Sequence, residues 1–257
     1  MPSALARPTF TQRLDELGPA SDRAWLAATT TALVTTLIAV YACEGSVSGK
    51  FWCYGAILVR ASVFAWSREG LRGRGGETLF GLFALGLVAG AYEILADFGL
   101  VHWVARGRLV YTTGTDVVVL ASPIWMPFGW ACVITELGYP CVRLFGLLRR
   151  RLAQRPAALA TCVTMGINAG MMGAFWEIYA WRAGWWYYEP ARVMLADHCA
   201  AYIALAEVFM GAALLPIAAR AIDDEARPLA AAVIGGARFG AVIMAAYAAA
   251  YLLLEGW

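Results

Sequence analysis

The sequence predicts an all-α polytopic membrane protein, a bundle of seven transmembrane helices. Three observations lead there. Of its 257 residues, 61% are hydrophobic and only 15% are charged, an apolar load that a soluble chain of this length has no interior large enough to hide. The mean hydropathy is +0.63. The apolar residues also gather into seven runs, most of them long enough to cross about 30 Å of hydrocarbon as a helix.

Taken in order, residues 1–24 form a polar N-terminal tail with mixed charges (Arg7, Arg13, Asp15, Glu16, Asp22, Arg23), and residues 25–257 form the seven-helix domain. The first run, Trp25 to Cys43, lacks a small-residue cleavage site, so it reads as a first transmembrane helix rather than a removable signal peptide. Further runs lie at 51–67, 78–104, 117–140, 157–181, 198–219 and 229–254. The run at 51–67 is the shortest and holds Arg60. Gly86 and Gly90, Gly166 and Gly170, and Gly236 and Gly240 have the GxxxG spacing that lets helices approach closely. Pro123 and Pro127 are expected to kink the fourth span.

Orientation follows from the distribution of basic residues. Arg7, Arg13, Arg23, the arginines at 68–74, Arg143, Arg149–Arg151, Arg155, Arg220 and Arg227 fall on one side. Lys50, Arg106, Arg108, Arg182 and Arg192 fall on the other. This places the N-terminus inside and the C-terminus outside, in a bacterial cytoplasmic membrane.

Several functions lack their signals. A net charge of +2, with no basic run interleaved with aromatics, gives no footprint for nucleic acid. The six cysteines are scattered without a CxxC and there are two histidines, so no metal site is expected. Asp223-Asp224-Glu225 lacks the continuation of an aspartate-rich diphosphate motif. P-loop, GxSxG and dinucleotide-binding glycine patterns are absent, so no cofactor is expected. Lys50 is the only lysine and lies outside the runs, which excludes a retinal Schiff base in the last helix.

The chemistry-bearing residues are acids inside the runs. An ionisable group in hydrocarbon costs about 2.5–3.5 kcal/mol on insertion scales, so it normally faces the bundle interior. Glu93 and Asp97, four apart, share one helix face. Glu177 lies in the outer half of the fifth span, Asp197 and His198 begin the sixth, and Glu207 lies within it. The topology, counted from basic residues alone, brings most of these acids to one depth. Blander readings stand beside this one. Residence in the headgroup zone would account for Asp97, Asp197 and His198. Arg60 or Arg238 could pair with Glu93 or Glu207 as buried struts. Glu136 is interfacial on this reading, Asp116 opens a helix, and Glu255 is terminal and wet.

Aromatic residues divide the same way. Trp185, Trp186, Tyr187 and Tyr188 suit a membrane-interface belt. Trp125, Trp130 and Trp176 sit within spans, where their faces could stabilise a cation. Acids and aromatics together suggest acid-initiated chemistry on a greasy substrate. A buried carboxylic acid protonates an alkene or epoxide, aromatic faces hold the carbocation, and a second carboxylate removes a proton or directs water. A close pair such as Glu93 and Asp97 could share one proton.

A faint internal repeat adds to this. Tyr92-Glu93-Ile94 is followed by Arg106-Gly107-Arg108-Leu109-Val110-Tyr111, and Trp176-Glu177-Ile178 by Arg182-Ala183-Gly184-Trp185-Trp186-Tyr187.

The succession Glu93, Gly107-Arg108-Leu109-Val110-Tyr111-Thr112, Ser122-Pro123-Ile124-Trp125-Met126-Pro127-Phe128-Gly129-Trp130, Phe175-Trp176-Glu177-Ile178, Gly184-Trp185-Trp186-Tyr187-Tyr188 and the helix holding Tyr202 and Glu207 resembles the membrane-integral carotenoid hydratases. More distantly it resembles the small-subunit type of lycopene cyclase. The resemblance covers about 90–215 and implies metal-independent, acid-initiated addition or cyclisation at an isoprenoid double bond. Only Glu93 and Glu177 fall on acidic motif positions; Ala180 and Trp181 stand where the hydratase pattern has a second acid, and the Pro-x-Glu-Glu signature of the cyclases is absent. The Trp176-Glu177-Ile178-Tyr179 patch is also similar to the integral-membrane terpene cyclases of meroterpenoid pathways.

The expected function is therefore isoprenoid cyclisation or hydration. Glu177, Glu93, Asp97 and Glu207 are the candidate catalytic residues; Trp125, Trp176, Trp185, Tyr202 and Asp197 are the candidate substrate contacts. The expected partners are a lipid-soluble isoprenoid and membrane lipids. Two other classes remain open: a proton- or cation-coupled transporter using the same acids as a relay, and a non-catalytic seven-helix receptor.

Overall fold

The computed structural model describes residue 14 and residues 17–42, 47–71, 74–112, 116–223 and 227–256. Arg7, Arg13, Asp15 and Glu16 of the tail, Cys43 at the end of the first expected span, Arg72, and Asp224 and Glu225 lie outside the described residues.

Among the described residues there are seven helices: α1 (Pro19–Leu37), prolonged by a π-helical turn at Ile38–Ala42, α2 (Val47–Gly70), α3 (Arg74–His102), α4 (Met126–Arg149), α5 (Gln154–Arg182), α6 (Ala201–Asp223) and α7 (Pro228–Leu254). Six are long and apolar enough to cross a membrane: α1 with its π turn, α3, α4, α5, α6 and α7. The expected count of seven crossings is thus not met by length and composition. α2 has the same 24 residues as α4, but Lys50, Arg60, Arg68 and Glu69 dilute its apolar character.

The first helix begins at Pro19, ahead of the expected tail boundary. Pro19 stands at its start, where a fixed φ and a missing N–H cost nothing. Asp22 and Arg23 belong to its opening turns. Asp22 is tolerated because Arg143 Nη2 lies 2.8 Å from its Oδ2 and Tyr139 Oη donates to its Oδ1 at 2.7 Å. Leu14 and Leu17, read as part of the polar tail, are buried.

The fourth span is also displaced. Val117–Leu120 was expected to open it, yet these residues build a hairpin, β2 (Val118–Val119) paired with β3 (Ser122–Pro123). Pro123 lies in that strand and Pro127 in the first turn of α4, so neither kinks a helix. Pro140 is the proline inside α4. The sequence hid this because four aliphatic residues in a hairpin carry the same hydropathy as a helix turn.

Two further short antiparallel ladders complete the set among the described residues. β1 (Leu109–Tyr111) pairs with β4 (Trp186–Tyr188), and β5 (Met194–Leu195) pairs with β6 (Cys199–Ala200). All lie in the α3–α4 and α5–α6 connections, at the end of the bundle where α7 finishes. Tyr251 Oη there accepts from the Ala105 and Arg106 amides at 2.9 and 3.2 Å. Glu255 is 3% exposed rather than wet, and its two oxygens accept from the Arg192 amide. These bonds make a polar cap over one end of the bundle.

Beneath the cap, α3 packs against α4 and α7, and α6 packs against α5 and α7. α1 and α2 flank α3. Arg60 of α2 does not strut Glu93 or Glu207. Its Nη1 lies 2.7 Å from Glu136 Oε1 of α4. Glu136 is thereby the ion-pair partner of Arg60, its side chain 11% exposed. Arg238 is exposed.

Candidate functional site

The acids gather under the cap. Glu93 and Asp97 are each 3% exposed on one face of α3, and their carboxyls lie within electrostatic reach of one another. Asp97 Oδ2 accepts from Tyr111 Oη and from Ser122 Oγ, both at 2.6 Å. Glu93 Oε1 accepts from Tyr247 Oη of α7 at 3.2 Å. Its Oε2 is buried and meets no donor among the described residues. A polar atom so placed costs free energy unless something else, such as a proton or a bound group, satisfies it.

Glu177 comes from the last turns of α5. Its Oε2 accepts from Trp186 Nε1 at 2.5 Å, and the Tyr188 hydroxyl lies within electrostatic reach of it. Glu207 lies across from it on α6, its side chain running over Gly173. A Cβ at Gly173 would stand 2.6 Å from Glu207 Cγ, so the glycine makes the room. Glu207 is within electrostatic reach of both Glu93 and Glu177.

Tyr111 and Tyr188, outside the spans, stay neutral donors. Burial, followed by the neighbouring carboxyl (Asp97 and Glu177 respectively), holds both hydroxyls well above the ordinary tyrosine range.

Aromatic rings join the two acid groups. Tyr111 meets Trp186 edge-on with centroids 6.0 Å apart. Trp125 and Trp185 lie 6.5 and 6.2 Å from Trp186, and Tyr54 lies 5.5 Å from Trp125. The indole Nε1 atoms of Trp125 and Trp185 are buried without an acceptor among the described residues. A groove in the cap, lined by Val101, Leu109, Val110, Tyr111, Val118 and Leu120 among others, reaches Tyr111 from outside.

Thus the structure brings together Glu93, Asp97, Glu177 and Glu207, with Trp125 and Trp185 nearby. It does not bring in three others. Asp197 is exposed at the tip of the β5–β6 turn, with φ 63°. Trp176 packs edge-on against Tyr179 at 6.3 Å, because a helix turns about 100° per residue and sends it away from Glu177. Tyr202 is fully buried and donates to the Gly107 carbonyl at 2.6 Å, which fastens the cap. Asp116 does not open a helix; it lies before β2 and accepts from Tyr54 Oη at 2.7 Å.

Sequence reasoning missed Tyr111, Ser122, Trp186, Tyr188 and Tyr247 as site residues. The first four sit in the motif stretches that carry the family resemblance. Tyr247 had one signal, a hydroxyl inside the alanine-rich Ala245–Ala250 stretch. Among the described residues no group of three His, Cys, Asp or Glu side chains is arranged to hold a metal ion.

A family model described as a domain of unknown function (DUF6989) matches residues 94–254. That stretch includes Asp97, Glu177, Glu207 and the cap apart from Glu255, and starts one residue after Glu93. No curated protein and no solved structure matches the chain.

Proposed function

The chain belongs to the DUF6989 family, and for it we propose an integral-membrane enzyme that protonates an isoprenoid alkene or epoxide and cyclises or hydrates it through carboxylic-acid catalysis. The observation that carries this is the buried Glu93–Asp97 carboxyl pair, one oxygen of which meets no donor, facing a second acid group at Glu177 across an aromatic wall. On this reading a general acid and a general base flank the aromatic cluster. The indole and phenol faces between them suit a carbocation shielded from water. The resemblance to the carotenoid hydratases and lycopene cyclases supplies the substrate class.

On this reading α2 supplies a seventh crossing, its Arg60 charge offset by Glu136. The termini then lie on opposite sides of the membrane, and the arginine distribution turns the cap outward. The acids are confined to the capped half, which favours a chamber over a relay that reaches both faces.

The test is expression of the chain in membranes supplied with candidate isoprenoids in deuterated water, followed by lipid extraction and mass analysis. Acid initiation places one solvent-derived deuterium on carbon in the product. Glu177→Gln, with the protein still inserted, cuts turnover to a small residual rate; undiminished product from that variant sinks the assignment.

A further inference from the structure

Two stretches of the chain pass through the same elements in the same order: a 29-residue helix, a three-residue strand, a two-stranded hairpin and a second long helix. The first is α3–β1–β2–β3–α4 and the second is α5–β4–β5–β6–α6. Because α3 and α5 are equally long, Arg74 corresponds to Gln154 and His102 to Arg182. The same displacement carries Gly86 onto Gly166 and Gly90 onto Gly170. These glycines do the same work in each half. A Cβ at Gly86 or Gly90 would strike the backbone of Ala131 or Pro127 in α4; one at Gly166 or Gly170 would crowd Val208 or Ala204 in α6.

Past the first helix a displacement three residues shorter takes over, and it is kept to the second. It carries Gly107 (φ 60°) onto Gly184 (φ 66°) and Leu109–Tyr111 onto Trp186–Tyr188. It also carries Pro127 onto Ala204 and Ala131 onto Val208, the partners of the glycines just named.

The β1–β4 ladder shows how the halves are related. Val110 pairs with its own counterpart Tyr187, while Leu109 pairs with Tyr188 and Tyr111 with Trp186. The Thr112 amide donates to the Trp185 carbonyl at 2.9 Å. The counterpart bond, from the Glu189 amide to the Arg108 carbonyl, is 2.8 Å. Pairing that maps onto itself when the halves are exchanged is the mark of a two-fold axis, here passing between Val110 and Tyr187.

The axis sorts the acids differently from the sequence repeat, which matched Glu93 with Glu177. The helix register matches Asp97 with Glu177, one turn further on, and the strand register matches Tyr111 with Tyr188. Tyr111 donates to Asp97 in its own half, and the Tyr188 hydroxyl lies within electrostatic reach of Glu177 in the other. Glu93 has no acidic counterpart, because Gly173 stands in its place.

We infer that the chain is an internal duplication with its site on the pseudo-two-fold axis, that Tyr111 and Tyr188 are equivalent positioning residues for Asp97 and Glu177, and that Glu93 makes the first half the proton donor. This rests on the acid-catalysis reading above.

The donor count carries the assignment of roles. Asp97 accepts from two hydroxyls, and Glu177 accepts from an indole N–H with the Tyr188 hydroxyl within electrostatic reach, so each is supported as an anion. Glu93 has one donor, Tyr247, on Oε1, and its buried Oε2 has none among the described residues. A buried carboxyl with one oxygen lacking any donor is satisfied when that oxygen carries the proton. The groups facing Glu93 are Asp97 on α3, Glu207 on α6 and Tyr247 on α7, and none is a cation. The proton therefore sits on Glu93.

In turnover the Glu93 proton bonds to one carbon of the substrate double bond, whose π electrons form the new C–H bond and leave a cation on the other carbon. Glu177 takes a proton from a carbon beside the cation, and those C–H electrons close the new double bond. One proton enters and one leaves, and proton exchange from Glu177 back to Glu93 resets the site.

The test has a spectroscopic and a kinetic arm, both on the full chain in lipid nanodiscs. Infrared spectroscopy without substrate reads the protonated-carboxyl band. Glu93→Gln removes one component of it and Glu177→Gln removes none; the reverse pattern overturns the assignment whatever the substrate proves to be. In the product assay, Tyr111→Phe and Tyr188→Phe each lower kcat about tenfold, the worth of one hydrogen bond to a charged group, with KM within about twofold. Tyr188→Phe placed in a Glu177→Gln background changes nothing further in the residual rate. An additional loss there, or a loss confined to one tyrosine, overturns the equivalence. Absence of product from every isoprenoid in the wild type sinks the functional reading and leaves the infrared result standing.

Discussion

Removing the Glu136 charge from beneath Arg60 tests whether α2 is built to sit in the membrane. Arg60 Nη1 and Glu136 Oε1 are 2.7 Å apart, and their side chains are 8% and 11% exposed. At that distance and an effective dielectric of about 20, their attraction is about 6 kcal/mol. Most of it offsets the cost of taking two charges out of water, so the pair as a whole contributes little. Its disruption is another matter. Glu136→Gln leaves a buried guanidinium facing a neutral amide, and loss of one partner costs about 3–5 kcal/mol. Replacing both, with Arg60→Met and Glu136→Leu, removes the two desolvation costs together and recovers most of the loss. The assay is denaturant unfolding in mixed micelles followed by tryptophan fluorescence. Trp25 is a local reporter, since its Nε1 donates to the Glu136 carbonyl at 3.0 Å. A single variant as stable as the wild type, or a double variant no better than the single one, refutes the reasoning.

Two other substitutions separate the site from its surroundings. Trp186→Phe keeps an aromatic ring beside Tyr111 and Trp125 but deletes the 2.5 Å bond to Glu177; the expected result in the product assay is a kcat lower by about 10- to 100-fold. Asp197→Ala, at an exposed turn, leaves product formation within about twofold of the wild type in the same assay, and a large loss would return Asp197 to the site.

Much of the helical frame follows from hydropathy alone, because each membrane-crossing helix must present a long apolar run. The acids were visible for a related reason: Glu93, Asp97, Glu177 and Glu207 interrupt such runs at a cost, and the four-residue step from Glu93 to Asp97 fixes a shared face. What hydropathy could not resolve was the cap. Val117–Leu120 are apolar but lie in a hairpin, and Tyr247 adds only a hydroxyl to an alanine-rich helix. The repeat was visible in the wrong register. The Glu-Ile match at Glu93 and Glu177 is a coincidence of two residues, whereas the true correspondence rests on Gly86, Gly90 and their counterparts. Those glycines are spaced for helix contact, and sequence alone could not say that both pairs meet their partners at equivalent positions.

The aromatic stretch Trp185–Tyr188 shows why belt and site are compatible readings of the same residues. A strand turns successive side chains to opposite faces. Trp186 and Tyr188, two apart, both reach Glu177, while Tyr187 between them is 40% exposed. The outward residue is free to lie at the membrane surface, and the inward pair holds an acid. Across the ladder Tyr111 does the same for Asp97. The backbone bonds that close the β1–β4 ladder therefore also set the distance between the two acid groups. A shift of the ladder by one residue would turn Tyr111 or Trp186 away from its carboxyl and leave that acid short of a donor, so the register of three residue pairs at the cap decides the chemistry available a helix turn below it.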